Sequence, residues 1–202
     1  MKNKLSILFA AITLFAVVTQ YYLMIESRVA SILETTIRFF SFFTILTNSL
    51  VAIYFILSLV KKKNNYLSII YKSGTLTAVT VYITIVGLVY QILLRHIWTP
   101  EGMQRLVDEL LHSIIPILVI IFWYLYEEKI SIKYKQLLKW LIYPILYLIF
   151  ILIRGALAEF YPYPFVNVAA LGLEQVLINS AGLLVLFICI SAGCIKLGKI
   201  LK

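Results

Sequence analysis

The sequence predicts an all-α, polytopic membrane protein, a bundle of six transmembrane helices. The 202-residue chain is 62% hydrophobic and only 13% charged, and its mean hydropathy is +0.98, whereas soluble domains are much more polar. Its apolar runs are about 20 residues long, the length of a helix that crosses a hydrocarbon core of ~30 Å. A helix is the expected form because the bilayer offers backbone polar groups no water.

Six such runs are separated by short polar connections, none long enough to form a soluble domain. The predicted spans are residues 5–24, 38–60, 73–94, 110–126, 137–154 and 174–195. Together they predict one membrane-embedded helical domain over residues 1–202. The run after MKNK is interpreted as a span, because it is long for the apolar region of a signal peptide and ends without a small-residue cleavage site.

Lysine and arginine are sorted to opposite sides of the predicted membrane. If the N-terminus is cytoplasmic, all thirteen lysines lie on the cytoplasmic side and all five arginines on the other. Basic residues in short loops are retained in the cytoplasm, so both termini are predicted to be cytoplasmic, in a multi-pass protein of the cell membrane. The net charge of +9 then reflects topology, and no nucleic-acid partner is expected. The KKKNN segment at residues 61–65 is interpreted as a topology anchor.

Motifs for a cofactor or a metal are absent from the sequence. Cys189 and Cys194 are five residues apart in the last predicted span, and only two histidines are present. No zinc-ligand spacing, Gly-rich phosphate loop or dinucleotide fingerprint is found. The sequence therefore predicts neither a cofactor nor a metal site.

Polar side chains within the spans indicate where a site would lie. They usually face the bundle interior, because a charge at mid-bilayer costs at least ~2.5 kcal/mol. On the second span Ser41, Thr44 and Asn48 fall at i, i+3 and i+7, on one helical face. The third span carries a similar stripe, formed by Thr77, Thr80, Thr84 and Gln91.

The fourth span opens with DELLHSIIP, in which Asp108 and His112 are i and i+4. Pro116 has no N–H, which leaves the carbonyl four residues earlier, that of His112, without its helical partner. The freed carbonyl, the imidazole and the Asp108 carboxylate predict an oriented base. An ordinary kink with a packed, hydrogen-bonded histidine is the alternative interpretation.

Most of these groups crowd toward the non-cytoplasmic half of the predicted bundle, which predicts a polar pocket open to the outer leaflet or outer water. The depths of Thr44 and His112 allow the two side chains to meet. For Thr44, a bond to its own helix or to a neighbouring helix is the alternative. A charged rim is expected from Gln91, Arg95, Asp108, Arg154 and Glu174.

Four blocks in order resemble the bacterial six-span Pr-six-Pr membrane proteins, for which no activity is implied. These blocks are RFFSFFTILTNSLVA, VTVYITIVGLVYQILLR, LLHSIIPILVIIFW and LIYPILYLIFILIRGALAEFYPYPFVNVAALG. The chain is more distantly similar to the androgen-induced, FAR-17a type proteins, intramembrane threonine hydrolases of fatty-acid esters of hydroxy fatty acids. That resemblance implies that Thr44 in FFTILTN is the nucleophile and that His112 in LLHSIIP is the catalytic histidine.

The expected function is hydrolysis of lipid esters within the membrane. Thr44 would attack the ester carbonyl, His112 would accept and return the proton, and Asp108 would hold the imidazole. Asn48 or Gln91 would donate to the oxyanion. Arg95, Arg154 and Glu174 complete the predicted substrate-binding set.

The expected partners are membrane lipids and a lipid-ester substrate. A small-molecule transporter or channel is the alternative, and it predicts polar groups that continue to the inner face. A non-catalytic membrane protein is the third interpretation.

Overall fold

All regular secondary structure is helical in the part of the chain that the structure, a computed structural model, describes: residues 1–60 and 70–201. The α-helices are α1 (Lys2–Glu26), α2 (Ile32–Phe40), α3 (Phe43–Ser58), α4 (Thr75–Val89), α5 (Gly102–Glu109), α6 (Ile115–Tyr126), α7 (Leu137–Trp140), α8 (Ile142–Ala158) and α9 (Val168–Ile200). Single π-helical turns occupy Tyr90–Leu94 and Leu110–Ile114, and 3-10 turns occupy Lys129–Ser131, Tyr134–Gln136 and Pro164–Val166. The predicted anchor at residues 61–65 lies outside the described residues.

In the described ranges, five helical segments are long and apolar enough to cross a membrane: Lys2–Glu26, Thr75–Leu94, Gly102–Tyr126, Tyr134–Ala158 and Val168–Ile200. Helices α2 and α3 provide a sixth if the bent pair is counted as one span. An 18-residue stretch of each of these five segments has a mean hydropathy of 1.9 to 2.2, and many of their large apolar side chains face outward. The prediction of a helical, membrane-type bundle is therefore confirmed, with five or six candidate spans.

The predicted second span, residues 38–60, is broken. Helix α2 ends at Phe40, α3 begins at Phe43, and the two axes differ by 74°. Phe42 between them is extended, with φ −80° and ψ 125°. The break places Thr44 in the first turn of α3, near the positive end of the helix dipole.

The break also separates two polar residues that the sequence pattern joined. Ser41 follows the end of α2, where its hydroxyl donates to the Ile37 carbonyl at 2.7 Å. Helical periodicity does not continue across the bend, so the predicted common face of Ser41 with Thr44 and Asn48 is wrong. Thr44 and Asn48, one turn apart on α3, remain neighbours.

Two later helices begin before the predicted spans. The fourth span was predicted to begin at residue 110, but α5 starts at Gly102 and runs through a π-helical turn into α6. The last span was predicted from residue 174, but α9 starts at Val168 and has a kink at Gly172, where φ is 77°. Hydropathy identifies the apolar part of a helix, whereas the backbone hydrogen bonds continue into its polar end.

The described chain divides into two compact units, residues 1–132 and residues 133–201. In the first unit α1 packs mainly on α3, and small side chains on α1 allow this close approach. The buried face of α1 is formed by Ser6, Phe9, Ala10, Thr13 and Ala16. Phe9, Phe55 and Phe122 meet edge to face, with ring centroids 4.9 to 5.9 Å apart.

At one end of this unit Glu127, which lies directly after α6, binds the start of α4. Its carboxylate accepts from the backbone N–H of Thr77 at 2.9 Å and from the Thr77 hydroxyl at 3.0 Å. It also accepts from the N–H of Gly74 at 3.4 Å. These N–H groups belong to the start of α4 and lack intrahelical acceptors, so Glu127 caps that helix from a neighbouring element. Trp123 donates its indole N–H to the Thr77 hydroxyl at 2.8 Å.

The second unit contains α7, α8 and α9. The ring of Tyr161 packs directly over Gly155 of α8, at a position that has no room for a Cβ. The side-chain amide of Asn179 on α9 donates to the Phe165 carbonyl at 2.9 Å, which ties α9 to the 3-10 turn before it.

Candidate active site

Thr44 and His112 meet inside the first unit. The Thr44 Oγ1 lies 3.3 Å from the His112 Nε2. Thr44 is 7% exposed and the His112 side chain 13%, so both are largely withdrawn from the surface. The sequence allowed this encounter, and the fold produces it by bringing the start of α3 against the π-helical turn before α6.

The other ring nitrogen of His112 determines which tautomer faces Thr44. Its Nδ1 lies 2.9 Å from the backbone carbonyl of Asp108 and 3.2 Å from the Asp108 Oδ1. A carbonyl oxygen can only accept, so Nδ1 carries the proton of the neutral imidazole. The Nε2 lone pair then points to the Thr44 hydroxyl, the arrangement that a general base requires.

Asp108 was predicted both to hold the imidazole and to contribute to a charged rim. Its contact with His112 agrees with the first role. The prediction that Asp108 contributes to a charged rim is wrong, because Asp108 is 5% exposed and its Oδ2 accepts a hydrogen bond from the Tyr90 hydroxyl.

Tyr90 is a site residue that the sequence reasoning missed. It is 3% exposed, and its ring stacks on the imidazole of His112. The polar stripe predicted on the third span was built from threonine and glutamine and omitted tyrosine. The sequence did contain an indication of this role, because Tyr90 brings a hydroxyl group next to Gln91 in a segment that is otherwise apolar.

Tyr90 and His112 both lie in π-helical turns. The N–H of Arg95 donates to the Tyr90 carbonyl at 2.8 Å, five residues earlier, and the N–H of Ile115 similarly donates to the Leu110 carbonyl. Single π-helical turns within α-helices occur frequently at functional sites. Each adds one residue to a turn and so changes the direction of the side chains that follow.

The register of the second π turn corrects the predicted effect of Pro116. In a π-helical register an N–H at position 116 donates to the carbonyl of Leu111, whereas in the α-helical register assumed for the prediction it donates to that of His112. Because Pro116 has no N–H, the carbonyl left without a backbone donor is that of Leu111. The side chain of Asn48 replaces this missing donor, because its Nδ2 donates to the Leu111 carbonyl at 3.3 Å. Gly87 permits the close packing here, since a Cβ at this position would lie 3.2 Å from the His112 carbonyl and 3.3 Å from the Pro116 Cβ.

Asn48 does not supply the oxyanion donor that was expected of it. Its Nδ2 donates to the Thr44 carbonyl at 2.8 Å as well as to Leu111, so both N–H bonds are used. Asn48 is 0% exposed, and within the described residues its Oδ1 has no hydrogen-bond partner. A buried acceptor without a partner costs about 1–3 kcal/mol, so a bound donor is expected at this oxygen.

Gln91 and Arg95 belong to a separate polar cluster. Gln91 donates to the Ser113 hydroxyl at 2.9 Å, and its carbonyl accepts from Arg95 at 2.8 Å. Arg95 forms an ion pair with Glu109 at 2.5 Å, and Ser113 donates to the same carboxylate at 2.7 Å. The amide of Gln91 is thus turned toward Ser113 and Arg95. The sequence reasoning missed Glu109 and Ser113, which lie beside Asp108 and His112.

Two of the predicted site residues, Arg154 and Glu174, lie in the second unit. Arg154 on α8 stacks its guanidinium over the Phe160 ring at 6.0 Å, and Glu174 on α9 is exposed. In the described part of the chain, no cluster of three or more His, Cys, Asp or Glu residues suited to a metal ion is found.

The centre of the first unit contains packed aliphatic side chains, which disfavour the transporter alternative. That alternative needs polar groups from the Thr44 end to the Thr77 end of the helices. Val51, Ile83 and Val119 occupy the middle of α3, α4 and α6 and are at most 1% exposed. A hydrophilic path would have to pass these packed aliphatic side chains.

Comparisons of the chain with protein-family models, curated proteins and solved structures found no significant match.

Proposed function

We propose that the protein is a multi-pass membrane hydrolase of lipid esters, with Thr44 as the nucleophile and His112 as the general base. The observation that carries this proposal is the 3.3 Å contact between Thr44 Oγ1 and His112 Nε2, made by an imidazole whose Nδ1 is held by Asp108. The similarity of FFTILTN and LLHSIIP to the androgen-induced type of hydrolase agrees with these two roles.

In the first half of the reaction, Nε2 takes the proton of the Thr44 hydroxyl as Oγ1 bonds to the ester carbonyl carbon. Negative charge develops on the carbonyl oxygen. Thr44 lies in the first turn of α3, so the positive end of that helix dipole stabilises this charge. His112 then protonates the alcohol oxygen, the bond between carbon and that oxygen breaks, and the acyl group remains on Thr44.

In the second half, a water molecule attacks the acyl carbon and His112 again acts as the base. Thr44 is released with its hydroxyl restored, and the other product is a carboxylic acid. Asp108 and Tyr90 act as positioning residues throughout. Asp108 holds the imidazole of His112 by its backbone carbonyl and its carboxylate. Tyr90 packs over the imidazole ring and donates to the Asp108 carboxylate.

The substrate class follows from burial and polarity. Thr44 and His112 are mostly buried in a unit whose outer surface is rich in apolar side chains, which favours an uncharged ester with acyl chains over a soluble, charged one. Such a substrate reaches the site sideways from the bilayer.

The basic residues support a topology with cytoplasmic termini in the cell membrane. In the first unit, the described lysines flank the end of the helices that lies opposite the site: Lys2, Lys4, Lys72 and Lys129. The arginines flank the end that contains Thr44 and His112: Arg28, Arg38, Arg95 and Arg105. By the positive-inside rule the lysine-rich end is cytoplasmic, so the site belongs to the non-cytoplasmic half.

A fluorophosphonate probe tests the nucleophile, because an activated hydroxyl displaces its fluoride and keeps the phosphonyl group. The purified chain should be labelled, Thr44→Ala should lose the label, and Thr44→Ser should retain part of it. Thr84→Ala is the matched control, since the Thr84 hydroxyl donates only to the Thr80 carbonyl of its own helix among the contacts described. Full labelling of Thr44→Ala would remove the proposed nucleophile.

A further inference from the structure

We infer that Asn48 Oδ1 binds the water that hydrolyses the Thr44 ester, so that Asn48 acts in the second half of the reaction. This inference rests on the proposed function and assigns a residue to its deacylation step. It starts from the acceptor oxygen of Asn48, which is fully buried and has no partner within the described residues.

The orientation of this amide is fixed by its surroundings. Its Nδ2 lies between the carbonyl oxygens of Thr44 and Leu111, at 2.8 Å and 3.3 Å. Exchanging the nitrogen and the oxygen would place Oδ1 against two other acceptors, which repel it. The oxygen therefore points away from both carbonyls and presents its lone pairs to a donor.

The position of the amide links the two reacting side chains. One of its hydrogen bonds is to the backbone of the nucleophile Thr44. The other is to the residue directly before the base His112. Asn48 is therefore bonded to the backbone next to both members of the contact between Thr44 Oγ1 and His112 Nε2, and the proposed water lies between Oδ1 and that contact.

Water fits this position better than a group of the substrate does. Asn48 is 0% exposed and Thr44 is 7% exposed, so the donor that reaches Oδ1 must be small. The ester group of the substrate carries acceptor oxygens and no N–H or O–H. Deacylation of Thr44, in contrast, requires a molecule with two O–H bonds.

The step balances with these groups alone. One O–H of the water donates to Oδ1, while the proton of the other passes to His112 Nε2 as the water oxygen bonds to the acyl carbon. The bond between that carbon and Thr44 Oγ1 then breaks, and the proton on Nε2 passes to Oγ1. The carboxylic acid leaves, and no oxidant or reductant is required.

The experiment measures the two half-reactions separately. The full-length chain in detergent micelles is mixed rapidly with p-nitrophenyl octanoate, and p-nitrophenol release is followed from the first turnover. Intact-protein mass measures the octanoyl group on Thr44. The variants are Asn48→Leu, which has neither donor nor acceptor, and Asn48→Asp, which keeps an acceptor oxygen. Asn179→Leu is the matched control, because it removes an amide that donates to a backbone carbonyl in the second unit.

For Asn48→Leu we expect a normal initial burst, an octanoyl adduct on Thr44, and steady-state turnover about tenfold slower, the factor corresponding to one hydrogen bond. Asn48→Asp should turn over faster than Asn48→Leu, although both lack the amide donors. Thermal unfolding of each variant shows whether it is folded.

Equal turnover of Asn48→Leu and wild type, equal impairment of the Leu and Asp variants, or loss of the burst in Asn48→Leu would each overturn the inference. Absence of p-nitrophenol release by the wild type above the level of Thr44→Ala would instead overturn the proposed function, and this inference with it.

Discussion

The ring of Tyr90 lies face to face with the imidazole of His112, with centroids 4.2 Å apart and planes 15° apart. The Tyr90 hydroxyl also donates to Asp108 Oδ2. One side chain of the third predicted span therefore restrains both His112 and the Asp108 carboxylate beside it. A restrained imidazole loses little orientational freedom when it accepts a proton, which favours general-base catalysis.

Removing only the hydroxyl of Tyr90 should slow the reaction without unfolding the protein. Tyr90→Phe keeps the stacking on His112 and loses the hydrogen bond to Asp108. A hydrogen bond contributes about 0.5–1.5 kcal/mol, and this one holds the carboxylate that contacts the imidazole, so fluorophosphonate labelling should slow by up to about tenfold. Tyr82→Phe, a buried tyrosine on the same helix, should label at the wild-type rate. Labelling of Tyr90→Phe at that rate would show that the hydroxyl does not contribute.

Restoring an N–H at position 116 should disturb the π-helical turn. Pro116→Ala can donate to a carbonyl in the preceding turn, which favours ordinary α-helical register and competes with Asn48 for that role. His112 would then rotate away from Thr44. We expect labelling to fall at least about tenfold while the unfolding temperature does not fall in proportion. Unchanged labelling would indicate that the π turn is maintained by packing alone.

Gly87 allows the close approach of α4 to the turn that carries His112. The added Cβ of Gly87→Ala would lie 3.2 Å from the His112 carbonyl, and overpacking of this kind typically costs about 1–3 kcal/mol. Both the unfolding temperature and the labelling rate should decrease. Gly182→Ala is the control, because a Cβ there has no atom within 4 Å and alanine is the better helix former. Equal stability of the two variants would contradict the tight packing.

Glu127 should affect stability and leave the chemistry unchanged. Glu127→Ala removes the cap from α4, which should cost about 0.5–2 kcal/mol, as the loss of a helix cap does. Labelling, measured well below the unfolding temperature, should match the wild type because Glu127 lies at the opposite end of the unit. Glu128→Ala provides the comparison, since the bonds described for Glu128 use its backbone carbonyl. A folded Glu127→Ala that is not labelled would show that the two ends are coupled.

The sequence predicted the features that depend on local pattern. Apolar runs identified the helical segments, and the spacing of Asp108 and His112 placed their side chains on one face, where the structure shows them in contact. The candidates Thr44 and His112 came from polar residues in an apolar context together with a family resemblance. Their separation of 3.3 Å is a property of tertiary packing and was beyond any helical-spacing argument.

Features that depend on neighbouring elements were not predictable in this way. The break at Phe42 lies in the segment FFSFFTIL, which contains neither glycine nor proline, and the π-helical turn before Pro116 shifts the freed carbonyl by one residue. Asn48 was expected to donate to an oxyanion, but the carbonyl of Leu111 from another helical segment occupies one of its N–H groups. These outcomes depend on long-range contacts that override periodicity.

The 74° bend before α3 has a mechanical consequence. If α3 crosses a bilayer along its normal, α2 lies closer to the membrane plane, and its exposed residues Ile32, Leu33 and Phe40 are then available to contact lipid. Lateral pressure in the lipid would then displace α2, which ends at Phe40, four residues before Thr44. We therefore expect fluorophosphonate labelling of Thr44 to differ between the chain reconstituted in thin bilayers and the chain reconstituted in thick ones.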